Sequence, residues 1–316
     1  MRPLAGKRIL DLSAHCAQQP HALAAAMAGK LCALYGAEVV RPEGPMIDPT
    51  QPLGRFLDAG KQQSTATGFN AAIGPVFDAA IGPVFDAAIG DANVAGAPIL
   101  LRFSVFGPGQ DPAMSELGLL ALSGLLGIVG ESHRPPAALA GHQPAYAAGL
   151  AGCTALLAAL HAGGPETVDI SLFDVTCWLN WKVAAAMMVM GEVPTRGGSR
   201  ADWFTLPASD GHIALVYMEK DYPALRDMLA IEDPRFETRA GRLTHRAEFE
   251  TLIRPWFAAR TREAITREAQ SRRIPIGPVR TPAELLADPQ YAARGFVGAG
   301  GMPAMPFRAN GVRPHG

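Results

Sequence analysis

The chain of 316 residues has little aromatic character (7%), little charge (18%) and no excess of either sign: 28 Lys and Arg stand against 29 Asp and Glu. Charge so balanced gives no basic surface to follow a phosphate backbone, so nucleic acid is not an expected partner. Apolar residues make up 48% of the chain, which excludes a disordered polymer. Cysteine is scarce. Cys16, Cys32, Cys153 and Cys177 form no CxxC pair and belong to no His/Cys cluster with zinc spacing, so reduced, mostly buried thiols and no metal are expected. The opening MRPLAGKRILDLS has no basic-then-apolar signal run. The apolar stretch Leu117 to Val129 is too short to span a bilayer and is broken by Gly124 and Gly127. A soluble, cytoplasmic protein without a membrane partner is the expectation.

Reaction motifs are missing too. There is no GxGxxG dinucleotide fingerprint, no Walker glycine loop, no GxSxG elbow and no HExxH. The eight histidines are scattered and read as surface or structural residues. His15 beside Cys16, at the end of the first strand, is the one candidate for a Cys–His nucleophile, because strand ends face the ligand crevice in α/β sheets.

What the chain does have is small residues and βα alternation. Lys7–Ser13 reads as a buried strand, about His21–Tyr35 as an alanine-rich helix stopped by Gly36, and Ala37–Arg41 as a second strand. That order is a βαβ unit with a parallel sheet. Ala97–Val105 continues the strands, Glu116–Val129 and Ala145–His161 read as helices, and Val168–Leu172 as a strand or strand-to-helix junction. Gly149 and Gly152 would let another backbone approach the helix that carries them. Trp178 and Trp181 read as buried helix packing, with the lining of a pocket as the alternative. The eight-residue unit AAIGPVFD occupies 71–78, repeats at 79–86 and begins again at 87–90, a tandem duplication expected to lengthen a loop or short helix. Further on, texture shifts to charged helices, with Thr281-Pro282-Ala283-Glu284 as a capping box. The expected organisation is a large domain over 1–190, completed by about 280–316, with a linker at 191–199 and a small domain at 200–275.

Pro3-Leu4-Ala5-Gly6-Lys7-Arg8-Ile9-Leu10-Asp11-Leu12-Ser13 resembles the opening of the class III CoA-transferases. That family includes formyl-CoA transferase, the carnitine dehydratase and bile-acid-inducible group, and 2-methylacyl-CoA racemase. Tyr35–Val40 with Glu43, Gly60-Lys61, Phe106-Gly107, Ala121–Leu125 with Gly130-Glu131, and Ala148-Gly149 are similar and in the same order. So are Val168–Asp174, Asp210-Gly211, Ile274–Val279 and Asp288–Gln290. The resemblance implies an α/β fold with a Rossmann-like large domain, a smaller α+β domain and an interlaced dimer. It implies coenzyme A as a substrate rather than a tightly bound cofactor, and an aspartate nucleophile that forms an anhydride and then an aspartyl-CoA thioester. A racemase member instead uses a His and Asp acid/base pair.

Departures from the family pattern carry as much information. Counting back from Ala148-Gly149, the nucleophile position falls on Ala145; counting back from Ala121–Gly124, the racemase histidine falls on Ser115. A methyl group can neither attack a thioester nor carry a proton. Glu116 is the candidate substitute, while Glu131 and Asp169 match structural positions. For CoA, the resemblance points to Ala17, Lys61, Asn93 and Gly107, though the Ala-Gly-Pro after the first strand is replaced by Ala17-Gln18-Gln19-Pro20. The nucleotide turn survives only as Asn93–Gly96, and the helix expected after it is missing. The expectation is a family member with weak, altered or no transferase activity, acting on a CoA thioester or small carboxylate. The alternative is a non-catalytic pseudoenzyme subunit or ligand-binding protein, as a homodimer or the partner of an active paralogue.

Overall fold

The structure is a computed structural model and describes residues 2–64, 85–91, 97–109, 111–130, 133–191, 193, 196, 203–298, 301–308 and 311. It divides into two compact units, 1–197 with 295–316, and 198–294. The return to the first unit therefore comes at 295. Residues 276–294 stay with the smaller unit, beyond the expected boundary at 275, because their first strand pairs there.

The first unit is built on six parallel strands: β1 (Arg8–Asp11), β2 (Glu38–Pro42), β3 (Gln62–Ser64), β4 (Ala87–Gly90), β5 (Ile99–Ser104) and β6 (Glu166–Ser171). Their order is β3-β2-β1-β4-β5-β6, the doubly wound order of a Rossmann-like sheet. Ile9 lies opposite both Val39 and Ala87, and Ala87 opposite Ile99, so apolar side chains line up across one face. That face carries the main core, with Ile9, Val39, Ile89, Leu101 and Phe103 all buried. Leu10, Ala88 and Leu100 form a smaller cluster with Leu12 from the opposite face.

The third beginning of the AAIGPVFD repeat, Ala87–Gly90, is not loop but the fully buried strand β4, between β1 and β5. Residues 71–84 of the tract lie outside the described residues. The connection from Gly90 to Ile99 is eight residues, where parallel neighbours ordinarily need a dozen or more.

Helices α1 (Gln19–Leu34) and α4 (Gln143–Ala162) cover the main core; between them in sequence come α2 (Pro52–Asp58) and α3 (Glu116–Leu122). Pro20 and Pro144 start α1 and α4, where a missing N–H costs nothing. Small residues set the spacing. A Cβ on Gly149 would lie 2.7 Å from the Ala24 carbonyl oxygen, so α1 and α4 touch backbone to backbone there. On Gly152 it would lie 2.7 Å from Phe103 Cζ, so this glycine admits a ring rather than another backbone. By length and composition α4, not the 117–129 stretch, is the segment able to cross a bilayer. Here its Ala145, Ala148, Cys153, Leu156 and Ala159 are packed into the core. After β6, α5 (Leu172–Leu179) and α6 (Trp181–Met190) follow, and α6 contains no buried residue.

The second unit is a three-stranded antiparallel sheet, β7 (Trp203–Ala208), β8 (Gly211–Val216) and β9 (Ile276–Pro278), in the order β7-β8-β9. Helices α7 (Tyr222–Leu229), α8 (Arg239–Thr244), α9 (Arg246–Ala258), α10 (Arg262–Ser271), α11 (Pro282–Leu286) and α12 (Pro289–Arg294) complete it. Phe204, Leu206, Leu215, Leu225, Phe249, Phe257 and Ile265 build its separate core. Thr281 and Glu284 exchange both capping-box bonds at the start of α11, as their spacing predicts.

Candidate active site

The carboxyl ends of β1, β4 and β5 define the crevice expected of such a sheet. At that edge the chain fills its own anion site. The Asp91 carboxylate, just past β4, accepts from the Ala17 N–H at 2.5 Å and lies 3.5 Å from His21 Nδ1. Asp111 accepts from the Val105 N–H at 2.7 Å and reaches His21 Nε2 at 3.3 Å. The His21 ring is fully buried between these two carboxylates. Gln18 ties the loop down by donating to the Pro112 carbonyl and accepting from the Met114 N–H. Ala17 therefore offers no free N–H to a phosphate.

His15 and Cys16 do not make a reactive pair. The Cys16 thiol is buried and leans on the Leu12 carbonyl, and burial together with the nearby Asp91 and Asp11 pushes it well above the usual thiol range. It stays protonated and is no nucleophile. Cys32 and Cys153 face each other across α1 and α4 at 3.9 Å, both buried as free thiols.

Lys61 is turned inward. Its amine sits 2.6 Å from the Asp11 carboxylate, donates to the Ala26 carbonyl at 2.9 Å, and lies 3.7 Å from Asp58, with its side chain fully buried. Asp58 also pairs with the buried Arg41 at 3.1 Å. Burial raises the Asp58 carboxyl above its ordinary range, while Lys61 and Arg41 pull it down. Lys30 borders this cluster over the Phe56 ring at 4.5 Å, and burial, with repulsion from Lys61, lowers its amine to about 8. Gly29 makes the room: a Cβ there would stand 2.3 Å from Asp11 Oδ2. The expected CoA contact at Lys61 is thus an interior ion pair. Asn93 lies outside the described residues. Gly107 has a positive φ of 103° and donates to Ser104 Oγ at 3.0 Å in the turn after β5.

Glu116 and Ala145, from two different helices, are brought into contact. Ser115 is the N-cap of α3, accepting from the Gly118 N–H. Glu116, the next residue, reaches the N-terminus of α4. One of its carboxylate oxygens bonds His142 Nδ1, and the other accepts from the Ala145 N–H at 3.3 Å. Ala145 itself is fully buried, its methyl in the core. The His142 and Tyr146 rings meet edge to face at 6.0 Å, and Tyr146 packs toward Phe56. Burial, reinforced by the Glu116 charge, raises the Tyr146 phenol above its usual range. Asp169 is held in a 2.5 Å pair with Arg102 on the adjacent strand, a structural position, and Glu131 lies outside the described residues.

His142 is the residue that sequence reasoning passed over, grouped with seven scattered histidines. Its signal was its place three residues before Ala145, at the cap of α4. The partners Asp91, His21 and Asp111 carried no local motif. Among the described residues no group of His, Cys, Asp and Glu converges as a metal site.

Comparison with known proteins agrees with this fold. An acyl-CoA transferase of Fusarium pseudograminearum is 30% identical over 202 residues, covering 60% of this chain and 43% of the relative. A succinate–glutarate CoA-transferase of Agrobacterium fabrum is 26% identical over 207 residues, covering 61% of this chain and 52% of the relative. The chain spans about half the length of these curated relatives. A crystal structure of a CAIB/BAIF family protein from Brucella suis superposes with a TM-score of 0.81 at 23% identity, covering 98% of this chain and 93% of that one. The profile of CoA-transferase family III matches residues 99–315, from β5 through both helices that meet at Glu116 and on into the second unit, and the chain belongs to that family.

Proposed function

We propose that this chain acts on CoA thioesters of small carboxylic acids as a class III CoA-transferase-like protein in which transfer through an enzyme-bound aspartyl anhydride is closed. The observation that carries the reading is Ala145. By the family resemblance this is the nucleophile position; its methyl is buried, and its backbone N–H is already capped by Glu116. A carboxylate nucleophile splits acyl transfer into two easier steps, and its loss removes that route. Both Glu116 oxygens are engaged, so Glu116 does not simply take over the attack.

The test is acyl exchange from succinyl-CoA to labelled glutarate or succinate. Wild type is expected at background, and Ala145→Asp combined with Glu116→Gln, which avoids two carboxylates in contact, is expected to gain measurable exchange. Exchange by the wild-type protein overturns the reading.

A second reading, a subunit working beside another chain, draws on the exterior of α5 and α6. Trp178 is 75% exposed, Met188 87% and Val189 85%, contrary to the buried packing expected for the tryptophans. A ten-residue apolar helix with no buried residue leaves most of its apolar surface to solvent. A second copy of the chain is its proposed cover.

A further inference from the structure

Glu116 and His142 form a carboxylate–imidazole pair that nothing in the family assignment uses. Glu116 is the first residue of α3 and His142 caps the 20-residue α4, so the pair is held by two helices rather than by a loop. Both carboxylate oxygens are engaged, one on Nδ1 and the other on the Ala145 N–H. This makes Glu116 a poor nucleophile and a good orienting partner. By fixing Nδ1, it leaves Nε2 as the reactive nitrogen, the logic by which a carboxylate sets the tautomer of a catalytic imidazole. The side chain of His142 is 30% exposed, so its ring reaches solvent, while the ring edge contact with Tyr146 limits its swing.

We propose that this pair makes the chain an acyl-CoA thioester hydrolase, with His142 as general base and Glu116 as its positioning residue. The proposal rests on the reading that this chain takes CoA thioesters. His142 Nε2 takes a proton from water as the water oxygen bonds to the thioester carbonyl carbon, and the carbonyl π electrons move onto oxygen. Collapse of the tetrahedral adduct breaks the C–S bond, and the imidazolium returns its proton to the leaving thiolate. The sum is acyl-CoA and water giving a carboxylic acid and CoA thiol. Water serves as acceptor because no aspartate stands at 145 to trap the acyl group first.

The experiment measures thiol release from succinyl-CoA and acetyl-CoA with no carboxylate acceptor, alongside calorimetric binding of CoA and succinyl-CoA. Wild type is expected to release thiol well above the uncatalysed rate. His142→Ala is expected to lower kcat/KM by about 10²–10⁴-fold, with part of the loss restored by added imidazole. His142→Gln, closer in size, should be equally slow and guards against a folding defect. Glu116→Gln is expected to lower kcat about 10- to 100-fold with KM little changed. Binding without hydrolysis, or hydrolysis unaffected by either His142 variant, overturns the hydrolase and leaves the thioester reading standing. Failure of both binding and hydrolysis overturns both.

Discussion

Lys61 and Asp11 meet at 2.6 Å with neither side chain exposed, beneath a glycine of α1 that leaves space for the carboxylate. Removing one partner strands a buried charge, and the cost of that is larger than the net worth of the pair. Lys61→Met is therefore expected to lower stability by about 3–5 kcal/mol, read as a shift in the urea midpoint. If Lys61 were an exposed ligand contact, the change would stay within about 0.5 kcal/mol. The sequence offered Lys61 only as a lysine after a glycine. Its role depends on Asp11 and Asp58 arriving from β1 and α2, which no local spacing encodes.

Among the elements, β4 has the least expected origin. Its four residues AAIG occur three times in the chain, at 71–74, 79–82 and 87–90, and the third occurrence is the buried strand. The strand is preceded by Asp86, which accepts from Lys7 at 2.7 Å and from the Arg8 N–H at 2.8 Å. Asp78 stands in the same relation to the second copy. Deleting residues 79–86 leaves Asp78 followed directly by Ala87–Gly90, so the strand and its anchoring aspartate are both kept. Loop-closure entropy changes slowly with length, and the deletion is expected to alter stability by less than about 1 kcal/mol. Ile89→Ala, which hollows the same strand, is expected to cost about 2–5 kcal/mol. Denaturant unfolding of the two variants side by side checks both values, and a deletion as damaging as Ile89→Ala would show that the duplicated tract is itself structural.

For the whole molecule, the unpaired apolar surface of α5 and α6 sets the expectation. Trp178, Trp181, Met187, Met188, Val189 and Met190 are exposed together on consecutive helices. Such a patch on one chain marks an association surface, and wild type is expected to sediment as a dimer at micromolar concentration. Val189→Glu, at a position 85% exposed, should weaken association at least tenfold with the far-ultraviolet circular dichroism unchanged. A wild-type monomer at that concentration would count against a second copy on this face.

Periodicity and composition by themselves determined the βα alternation, the parallel sheet, the break at Gly36 and the capping box at Thr281, because those features depend on neighbours in sequence. That an alanine, with no group to attack or carry a proton, stands at 145 was also legible, since a residue's chemistry is fixed by its identity. Tertiary structure alone decided which polar groups meet. It took Lys61 inward to Asp11, closed the Ala17 N–H with Asp91, and brought Glu116 across 26 positions to His142. It also left Trp178 and Trp181 outside. Helical residues of like hydrophobicity are buried or exposed according to what packs against them, and charges pair according to which strand ends lie side by side. Neither is written in the residues one at a time.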